Sequence, residues 1–514
     1  FGMQYAAAGR ASPDGTINAL SAGPEKRALK RLAVYGRPTN VVTGSEALKH
    51  RELKPHRVAH CLPLFVGSET VNRKITNRLC PPEALMGLIL RRIANNAIDS
   101  QPQPGIVAIT VPSMYNQFHR RSILQAAKLA GFESVRLVHR SVAAAQFQLL
   151  TEHALHQHDR DDDVVALDDP KDTAGGATDS ADDSSHHKLV VCITGMGTEI
   201  SVVHATTNRV TQLSAVGNVH GGTLRWTQSL VDFVAKSVSK EFSVDLRADT
   251  GDAIHLQIAC EKAMAQLMIG EQTTLRLQSK THGDRMRLMI SRKDLLECGE
   301  GLLVHLNEMI ARAVKDAGIK MSDIKQCLTV GMTIRIPEVS QRLLSQLPAD
   351  VELIPIERNE LAVGAASCVV AEFPDRQGLP LPPQPCMGMA IGLLAKNADG
   401  QRRIQELITK GSELPAHVNR RLTSEKDGKS PTLRIVESHG WRKTQWTQIG
   451  QHQLPALDGS QTLETSIDAD INGMLVLRCR RADGAEVTQL PVLNTSPLPD
   501  DSLATWAAWV KKYA

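Results

Sequence analysis

The segment Gly195-Met196-Gly197-Thr198 contains the residue types that could contact a phosphate group. Glycines let backbone amides approach anionic oxygens closely, and a threonine hydroxyl can add a further hydrogen bond. β-branched residues flank the segment on both sides, within residues 189–203, so we predict a tight turn between two antiparallel strands. An ordinary hairpin turn has the same pattern, so this segment alone does not assign a function.

The clearest structural signal lies in residues 105–150. An apolar, β-branched run at 106–111 predicts a buried strand, and a helix follows with Ile123 and Ala126 on its apolar face. Gly131 is expected to end that helix in a left-handed conformation. A second strand at 134–138 and a second helix at 142–150 complete a βαβα unit. The sheet that contains this unit should therefore be at least partly parallel.

Three patterns in this unit resemble the seventy-kilodalton heat-shock (Hsp70, DnaK-like) chaperone family. The first strand runs into TVPSMYN at 110–116, where the family has T-V-P-A-Y-F-N. The next helix ends in AGF at 130–132, and the second helix contains three alanines at 143–145. The similarity continues collinearly across roughly the whole chain. It implies an α/β fold with a two-lobed, actin-like (ribonuclease H-like) nucleotide-binding domain over residues 1–372.

The resemblance also implies a set of nucleotide-binding positions. Two of them fall in the family's first phosphate loop, three in its second, one in the adenosine-contacting helix and two beside the adenine. In this chain they are Gly2, Tyr5, Gly195, Gly197, Thr198, Glu261, Gly331 and Arg335. Plain turns and solvated helix faces would account for the same residues, so these roles are expectations.

The charged and hydroxyl positions of the family's nucleotide site are replaced in this chain. Phosphate-binding threonines, a catalytic lysine, a magnesium-side glutamate and two aspartates correspond here to Met3, Gln4, Pro63, Arg140, Ile193 and Ile200. Apolar side chains cannot order the water shell of Mg²⁺, which argues against that ion. We therefore nominate no catalytic residue and no metal site. We expect weakened binding of ATP or ADP and loss of ATP hydrolysis, since phosphoryl transfer depends on positioned charges.

Residues 151–188 differ in composition from the rest of the chain. Ten aspartates lie between positions 159 and 183, against one arginine and one lysine, and aromatic residues are absent there. Such a segment cannot bury enough apolar surface to offset its ordering entropy. We therefore predict a disordered acidic insertion within the nucleotide-binding domain.

The last third of the chain predicts a second kind of domain. Residues 373–385 form a Pro-rich linker, expected to be stiff and extended; the family's apolar docking linker is absent, which questions coupling between the domains. Short alternating runs over residues 386–490 predict a β-sandwich that resembles the family's peptide-binding domain. By position, Ile404 and Leu422 would line its peptide cleft, or simply belong to the core. In the short tail, 491–514, we expect one or two amphipathic turns and no helical lid.

Composition excludes several other classes. The formal net charge is only +4 and no basic cluster alternates with aromatic residues, so we expect no nucleic-acid partner. No apolar run approaches about 20 residues, so we expect no membrane span. The nine cysteines are scattered without CxxC spacing, which indicates free thiols in a reducing cytoplasm.

Three functions fit these observations. The first is a divergent DnaK-like chaperone or holdase that binds unfolded or extended polypeptide, with co-chaperones as further candidate partners, and has lost ATP hydrolysis. The second is an active ATP-dependent folding chaperone whose magnesium ligands come from other positions. The third is a non-catalytic interaction scaffold with neither activity.

Overall fold

The computed structural model describes most of the chain. The described residues are 2, 5–11, 16–20, 30–97, 105–162, 185–279, 283, 285–370, 379–396, 400–423, 432–439, 445–453, 462–481, 488–490, 492–493 and 498–514. Their helices are α1 (Ser45–Lys49), α2 (Pro82–Ala97), α3 (Gln117–Leu129), α4 (Arg140–Asp162), α5 (Thr223–Phe242), α6 (Thr250–Leu267), α7 (Arg292–Asp316), α8 (Pro337–Leu344), α9 (Arg358–Val370) and α10 (Asp500–Tyr513). Among the residues searched, none of these helices is long and apolar enough to cross a membrane.

The strands fall into an N-terminal, a central and a C-terminal group. The N-terminal strands are β1 (Tyr5–Ala6), β2 (Ala8–Ala11), β3 (Ile17–Leu20), β4 (Lys30–Arg31), β5 (Ala33–Gly36), β6 (Val41–Thr43), β7 (Val58–His60), β8 (Lys74–Ile75), β9 (Arg78–Leu79), β10 (Val107–Val111) and β11 (Val135–His139). The central strands are β12 (His186–Ile193), β13 (Thr198–Ala205), β14 (Val210–Asn218), β15 (Gln272–Gln278), β16 (Arg285–Ser291), β17 (Ile324–Val330) and β18 (Glu352–Ile356). The C-terminal strands are β19 (Ile391–Lys396), β20 (Arg402–Ile408), β21 (Ala416–Thr423), β22 (Thr432–Ser438), β23 (Trp446–Gln453), β24 (Thr462–Ala469), β25 (Leu475–Arg481) and β26 (Thr488–Leu490).

A five-stranded mixed sheet forms the centre of the α/β part. Its strand order is β14-β13-β12-β17-β18. The neighbours β14, β13 and β12 run antiparallel to one another, whereas β12, β17 and β18 run parallel. Alternate residues of β12 enter different cores: Leu189 and Val191 pack with α5, α6 and α7, whereas Val190 and Cys192 pack with α4 and α9. Because both faces are covered, this strand is a continuous apolar run in the sequence.

The predicted βαβα unit is present, with a longer final helix. β10 and β11 pair in parallel, and Gly131 follows α3 with φ +90°, as expected for a left-handed helix end. However, α4 continues to Asp162, and β12 already begins at His186. The prediction of a disordered insertion over residues 151–188 was therefore wrong at both ends, and residues 163–184 lie outside the described part.

Two four-stranded antiparallel sheets form the C-terminal part. Their orders are β20-β19-β22-β23 and β21-β24-β25-β26. Ile391 and Ile435 of the first sheet and Ile467 and Leu477 of the second belong to one hydrophobic core. The alternating runs of the sequence therefore do build a two-sheet sandwich, in which four further strands, β21, β23, β24 and β26, were not predicted individually.

The described part of the Pro-rich linker pairs with the edge of the central sheet. The Leu381 amide donates to Asn208 O (2.6 Å), and the Gln384 amide donates to Val210 O (2.9 Å). Thr211 and Gln384 form a parallel bridge. The linker thus contacts the sheet although it lacks the family's apolar segment, because these hydrogen bonds join backbone groups and do not depend on the side chains.

The C-terminal tail forms a full helix rather than one or two turns. In α10, Trp509 and Val510 are buried in the same core as α2 and α3. The Trp509 indole donates to Thr76 Oγ1 (3.2 Å), and the Arg92 guanidinium donates to Tyr513 O (2.5 Å). The chain therefore returns from the sandwich to its first α/β unit.

All nine cysteines are free thiols, as their scattered positions predicted. Eight are buried, and Cys298 is partly exposed. Burial raises the pKa of Cys80, Cys260 and Cys386 to about 12, so these thiols stay protonated and unreactive.

Candidate functional site

The predicted second phosphate loop is the turn between β12 and β13. It packs against the N-terminus of α5, where the Leu224 amide donates to Gly195 O (3.0 Å). The Thr198 hydroxyl donates to Gly221 O (2.8 Å). Gly195, Gly197 and Thr198 therefore lie together, as predicted. However, protein carbonyl oxygens already accept hydrogen bonds from the Leu224 amide and the Thr198 hydroxyl, the groups that would otherwise face a phosphate.

The glycines around this turn leave room for other parts of the protein. A β-carbon at Gly197 would lie 2.7 Å from Met114 Cε, and one at Gly217 would lie 2.5 Å from Met114 Cβ. Gly331, with φ +115°, approaches β12 so closely that a β-carbon there would lie 1.9 Å from Ile193 O. The buried Met114 side chain thus fills space beside the loop, which the sequence did not signal.

A buried cation lies where the family has its magnesium-side glutamate. Arg140 is 6 % exposed and donates to Thr194 Oγ1 (2.7 Å). Glu199, 1 % exposed, accepts from the Ser141 hydroxyl (2.9 Å). Burial raises the pKa of Glu199, although the positive charge of Arg140 opposes that rise. Glu199 was not among the predicted site residues, because the family's phosphate-loop pattern has no charged residue at its position.

The position that corresponds to the family's catalytic lysine supplies no charge, since Pro63 occupies it and is buried in the 3₁₀ turn Leu62–Phe65. Ile193 and Ile200 are buried in the core of the central sheet. No group of three or more His, Cys, Asp or Glu side chains that could hold a metal ion occurs among the described residues. These residues, with the Arg140 cation beside them, do not fit Mg²⁺.

Glu261, the predicted adenosine-side carboxylate, is held by a neighbouring arginine. The two guanidinium nitrogens Nη1 and Nη2 of Arg51 donate to its two oxygens at 2.6 and 3.0 Å, and Gln257 adds a bond of 3.1 Å. Burial alone would raise the pKa of Glu261, but the bonds and charge of Arg51 lower it below its ordinary value. Such a bidentate pair is among the stronger ion pairs in proteins.

Arg335, the predicted adenine-stacking residue, is also paired. It lies in the 3₁₀ turn Thr333–Arg335, and its guanidinium donates to the Glu357 carboxylate. The turn is fixed to α5 by a hydrogen bond between the Thr333 and Thr223 hydroxyls (2.8 Å). This ion pair uses the N–H edge of the guanidinium and leaves its planar face available for stacking.

The first predicted phosphate loop is only partly described. The Gly2 amide donates to Tyr5 O (2.9 Å), and residues 3 and 4 lie outside the described part. The Tyr5 ring lies between two cations, with the guanidinium carbons of Arg31 and Arg358 at 4.1 and 4.7 Å from its centroid. These distances are typical of cation–π contacts, so Tyr5 already has protein partners.

A buried polar network joins α3 to the sandwich, and sequence reasoning did not find it. The Arg120 guanidinium donates to Asn472 O (2.8 Å), and the Gln117 side chain donates to Gly473 O (2.7 Å). The side chain of Asn472 in turn accepts from the Leu137 amide (2.8 Å), at the edge of β11. The hairpin between β24 and β25 therefore docks directly on the βαβα unit.

A buried carboxyl group belongs to the same interface. Glu437 of β22 is 3 % exposed and accepts from the Gln117 amide (3.2 Å). Burial raises the pKa of Glu437 to about 7, although that amide and the charge of Arg120 oppose the rise. The interface thus contains one group that titrates near neutral pH.

The two predicted peptide contacts lie on neighbouring strands. Ile404 is half-buried on β20, where it pairs with Leu394 of β19. Leu422 lies on β21, and its side chain is outside the described part. β20 and β21 are edge strands of their described sheets, and they contact each other.

Comparison with known proteins agrees with this architecture. The family model described as Hsp70 protein matches residues 63–513. Relatives named chaperone protein DnaK include that of Thermotoga petrophila, 21 % identical over 98 % of this chain and 80 % of its own length. The protein of Mycoplasmopsis agalactiae is 23 % identical over 90 % of this chain and 73 % of its own length, and that of Burkholderia cenocepacia 26 % over 80 % and 60 %. The chain therefore belongs to the Hsp70 family.

Proposed function

We propose that this chain is a DnaK-like chaperone or holdase. It binds unfolded or extended polypeptide through its sandwich, binds nucleotide weakly and does not hydrolyse ATP. One observation carries the nucleotide half of this proposal: the Arg51 guanidinium already engages both carboxylate oxygens of Glu261, the residue expected to contact adenosine.

The two-lobed arrangement of the family is part of the proposal. The βαβα unit with β10 and β11 would form one lobe, and the five-stranded sheet would form the other. The nucleotide would then lie between the β12–β13 turn, Arg335 and Glu261. ATP or ADP would have to displace Arg51 from Glu261 to reach that carboxylate, so its affinity should be reduced.

Loss of hydrolysis follows from the charges at the expected reaction centre. Phosphoryl transfer is catalysed mainly by positioning and by electrostatic stabilisation. Loss of one preorganised group typically costs about 3 kcal/mol of transition-state stabilisation. Here Pro63 supplies no cation, Ile193 and Ile200 supply no carboxylates, and Arg140 places a fixed positive charge where the family has a glutamate.

Peptide binding is supported by the open edges of the sandwich. Within the described residues β20 pairs only with β19, and β21 pairs only with β24. An extended peptide could add to such an edge through backbone hydrogen bonds, with side-chain pockets giving selectivity. The free thiols support a reducing compartment such as the cytoplasm, and co-chaperones would be further partners.

Two measurements on the full chain, one of peptide binding and one of ATP hydrolysis, test this proposal. A fluorescently labelled apolar heptapeptide should bind with an affinity that changes little on addition of ATP, and labelled ATP should release no phosphate above background. Peptide binding together with steady phosphate release would favour the active ATP-dependent chaperone. No peptide binding and no release would favour the interaction scaffold.

A further inference from the structure

Two matching triplets lie on the neighbouring edge strands of the sandwich. β20 begins Arg402-Arg403-Ile404, and β21 contains Arg420-Arg421-Leu422. Each triplet places two arginines directly before one of the two predicted peptide contacts. Together the two strands carry these four arginines against one acidic residue, Glu406.

Both arginine pairs lie far along their strands from the segment that connects β20 to β21. One short segment, residues 409–415, joins the end of β20 to the start of β21. Arg402 and Arg403 lie at the start of β20, and Arg420 and Arg421 lie in the second half of β21. Both arginine pairs are therefore remote from the shared connection, toward the strand ends that it does not join.

The arginine side chains are free to meet a ligand. All four are exposed. Arg421 pairs loosely with Glu464 across the sheet (3.4 Å, with the Arg421 side chain 78 % exposed). Arg403 donates to Gln401 and Arg420 to a backbone carbonyl, and neither meets a carboxylate among the described residues. Because side chains alternate along a strand, positions 402 and 404 share one face of β20, and positions 420 and 422 share one face of β21. Arg402 and Arg420 are therefore the charges beside the apolar positions, and among the described residues neither forms an ion pair with a carboxylate.

We propose that the sandwich selects extended peptides whose apolar segment is flanked by acidic residues. This inference rests on the peptide-binding function proposed above and adds the chemistry of the client. The peptide would add to an open strand edge, its apolar side chains would contact the Ile404 and Leu422 positions, and its flanking carboxylates would meet the arginines. Guanidinium groups suit carboxylates because they can bind them in bidentate geometry.

A protein client explains this surface better than a nucleic acid does. Single-stranded nucleic acid binds where basic residues alternate with exposed aromatic rings that stack on the bases. Neither β20 nor β21 carries a Phe, Tyr or Trp residue, whereas both have an edge that is unpaired among the described residues. The pattern therefore indicates an acidic polypeptide.

Three labelled peptides with one Leu-rich core and Asp, Ser or Lys flanks test this inference by fluorescence anisotropy. At low salt the Asp-flanked peptide should bind about tenfold more tightly than the Ser-flanked peptide, and the Lys-flanked peptide should bind most weakly. The preference should decrease as ionic strength rises, because the charges are exposed. Equal affinities, or a preference for Lys flanks, would overturn the inference but leave peptide binding intact.

Matched variants locate the selectivity. Arg402→Gln/Arg420→Gln, which removes the two arginines on the faces of the apolar positions, should remove most of the preference for Asp flanks and leave binding of the Ser-flanked peptide unchanged. Arg276→Gln/Arg287→Gln, which removes two exposed charges from the β15–β16 hairpin, should leave the preference intact. Equal losses in both variants, or tighter binding of a competing oligouridylate than of any peptide, would contradict the inference. Failure of all three peptides to bind would instead refute the proposed function.

Discussion

At the scale of single residues, ion pairs and close packing engage several of the residues that were predicted to contact nucleotide. Met114 fills the space against Gly197 and Gly217, and Arg140 places a fixed cation beside the β12–β13 turn. The sequence predicted that charges were lost. It could not show that the remaining candidates are paired, because Arg51 and Glu261 lie 210 positions apart and meet only in the folded chain.

Gly331 should be one of the least replaceable residues. Gly331→Ala would force a β-carbon to within 1.9 Å of Ile193 O at a positive φ, so we expect a loss of about 3 kcal/mol or more in unfolding free energy. Chemical denaturation with urea measures it. The control Gly301→Ala, in α7 with open space around the new methyl group, should instead stabilise by up to about 1 kcal/mol. Equal effects of the two substitutions would contradict the close approach of β17 to β12.

At the scale of elements, the sequence predicted the helices and strands whose apolar residues recur at a regular spacing. The βαβα unit and the existence of a sandwich followed from the spacing of apolar residues. Two features did not follow from it. The linker docks through backbone groups of Leu381 and Gln384, which no side-chain pattern encodes. The length of α10 depends on burial of Trp509 against α2, which is a tertiary contact.

The C-terminal helix should contribute measurably to the stability of the first α/β unit. Trp509→Ala removes a side chain that is 5 % exposed and packs in the core of α2 and α3, so we expect a destabilisation of about 3–5 kcal/mol. Differential scanning calorimetry measures the shift. The exposed neighbour Lys511→Ala should change stability by less than about 0.5 kcal/mol. If Trp509→Ala leaves the stability unchanged, α10 does not pack against α2 and α3 in solution.

The linker contact can be separated into backbone and side-chain parts. Leu381→Pro removes the amide that donates to Asn208 O, whereas Leu381→Ala keeps that amide and shortens only the side chain. We expect faster cleavage of the linker by a non-specific protease in the proline variant, and little change in the alanine variant. The opposite order would mean that side-chain burial, rather than the backbone bond, holds the linker.

At the scale of the whole molecule, the sandwich is attached to the α/β part at several places among the described residues. These include the Arg120–Gln117 network, the linker residues beside β14, the Lys410–Asp316 ion pair and the return of α10 to α2. Because each attachment uses groups of the chain itself, we expect the docked arrangement to persist without nucleotide. Small-angle scattering with and without ATP should give the same radius of gyration, and an expansion on removal of nucleotide would contradict this expectation.

Glu437 should make this docking depend on pH. Its pKa is about 7 in the folded protein and near 4.3 in the unfolded chain, so between these values the native state binds more protons and its stability falls as pH rises. The charge of Arg120 interacts with Glu437 and also with Asp470, a second carboxyl group whose pKa is raised by burial. Buried His139, whose pKa burial and the charge of Arg120 lower to about 3, acts in the opposite direction.

Comparison with Glu437→Gln isolates this group, because the histidines are the same in both proteins. The unfolding free energy of the unsubstituted chain, relative to the variant, should fall by up to about 3 kcal/mol between pH 5 and pH 8. Urea titrations at each pH measure it. A difference independent of pH would show that the Glu437 carboxyl is not buried in solution.

The central claim is that the nucleotide-binding site has lost the charges needed for hydrolysis while the fold persists. Release of labelled phosphate from ATP by the purified chain, with and without Mg²⁺ and beside an active DnaK as standard, tests it most directly. We predict release no faster than in buffer alone, and no increase on addition of Mg²⁺. Magnesium-dependent turnover at a rate comparable with the standard would contradict the claim.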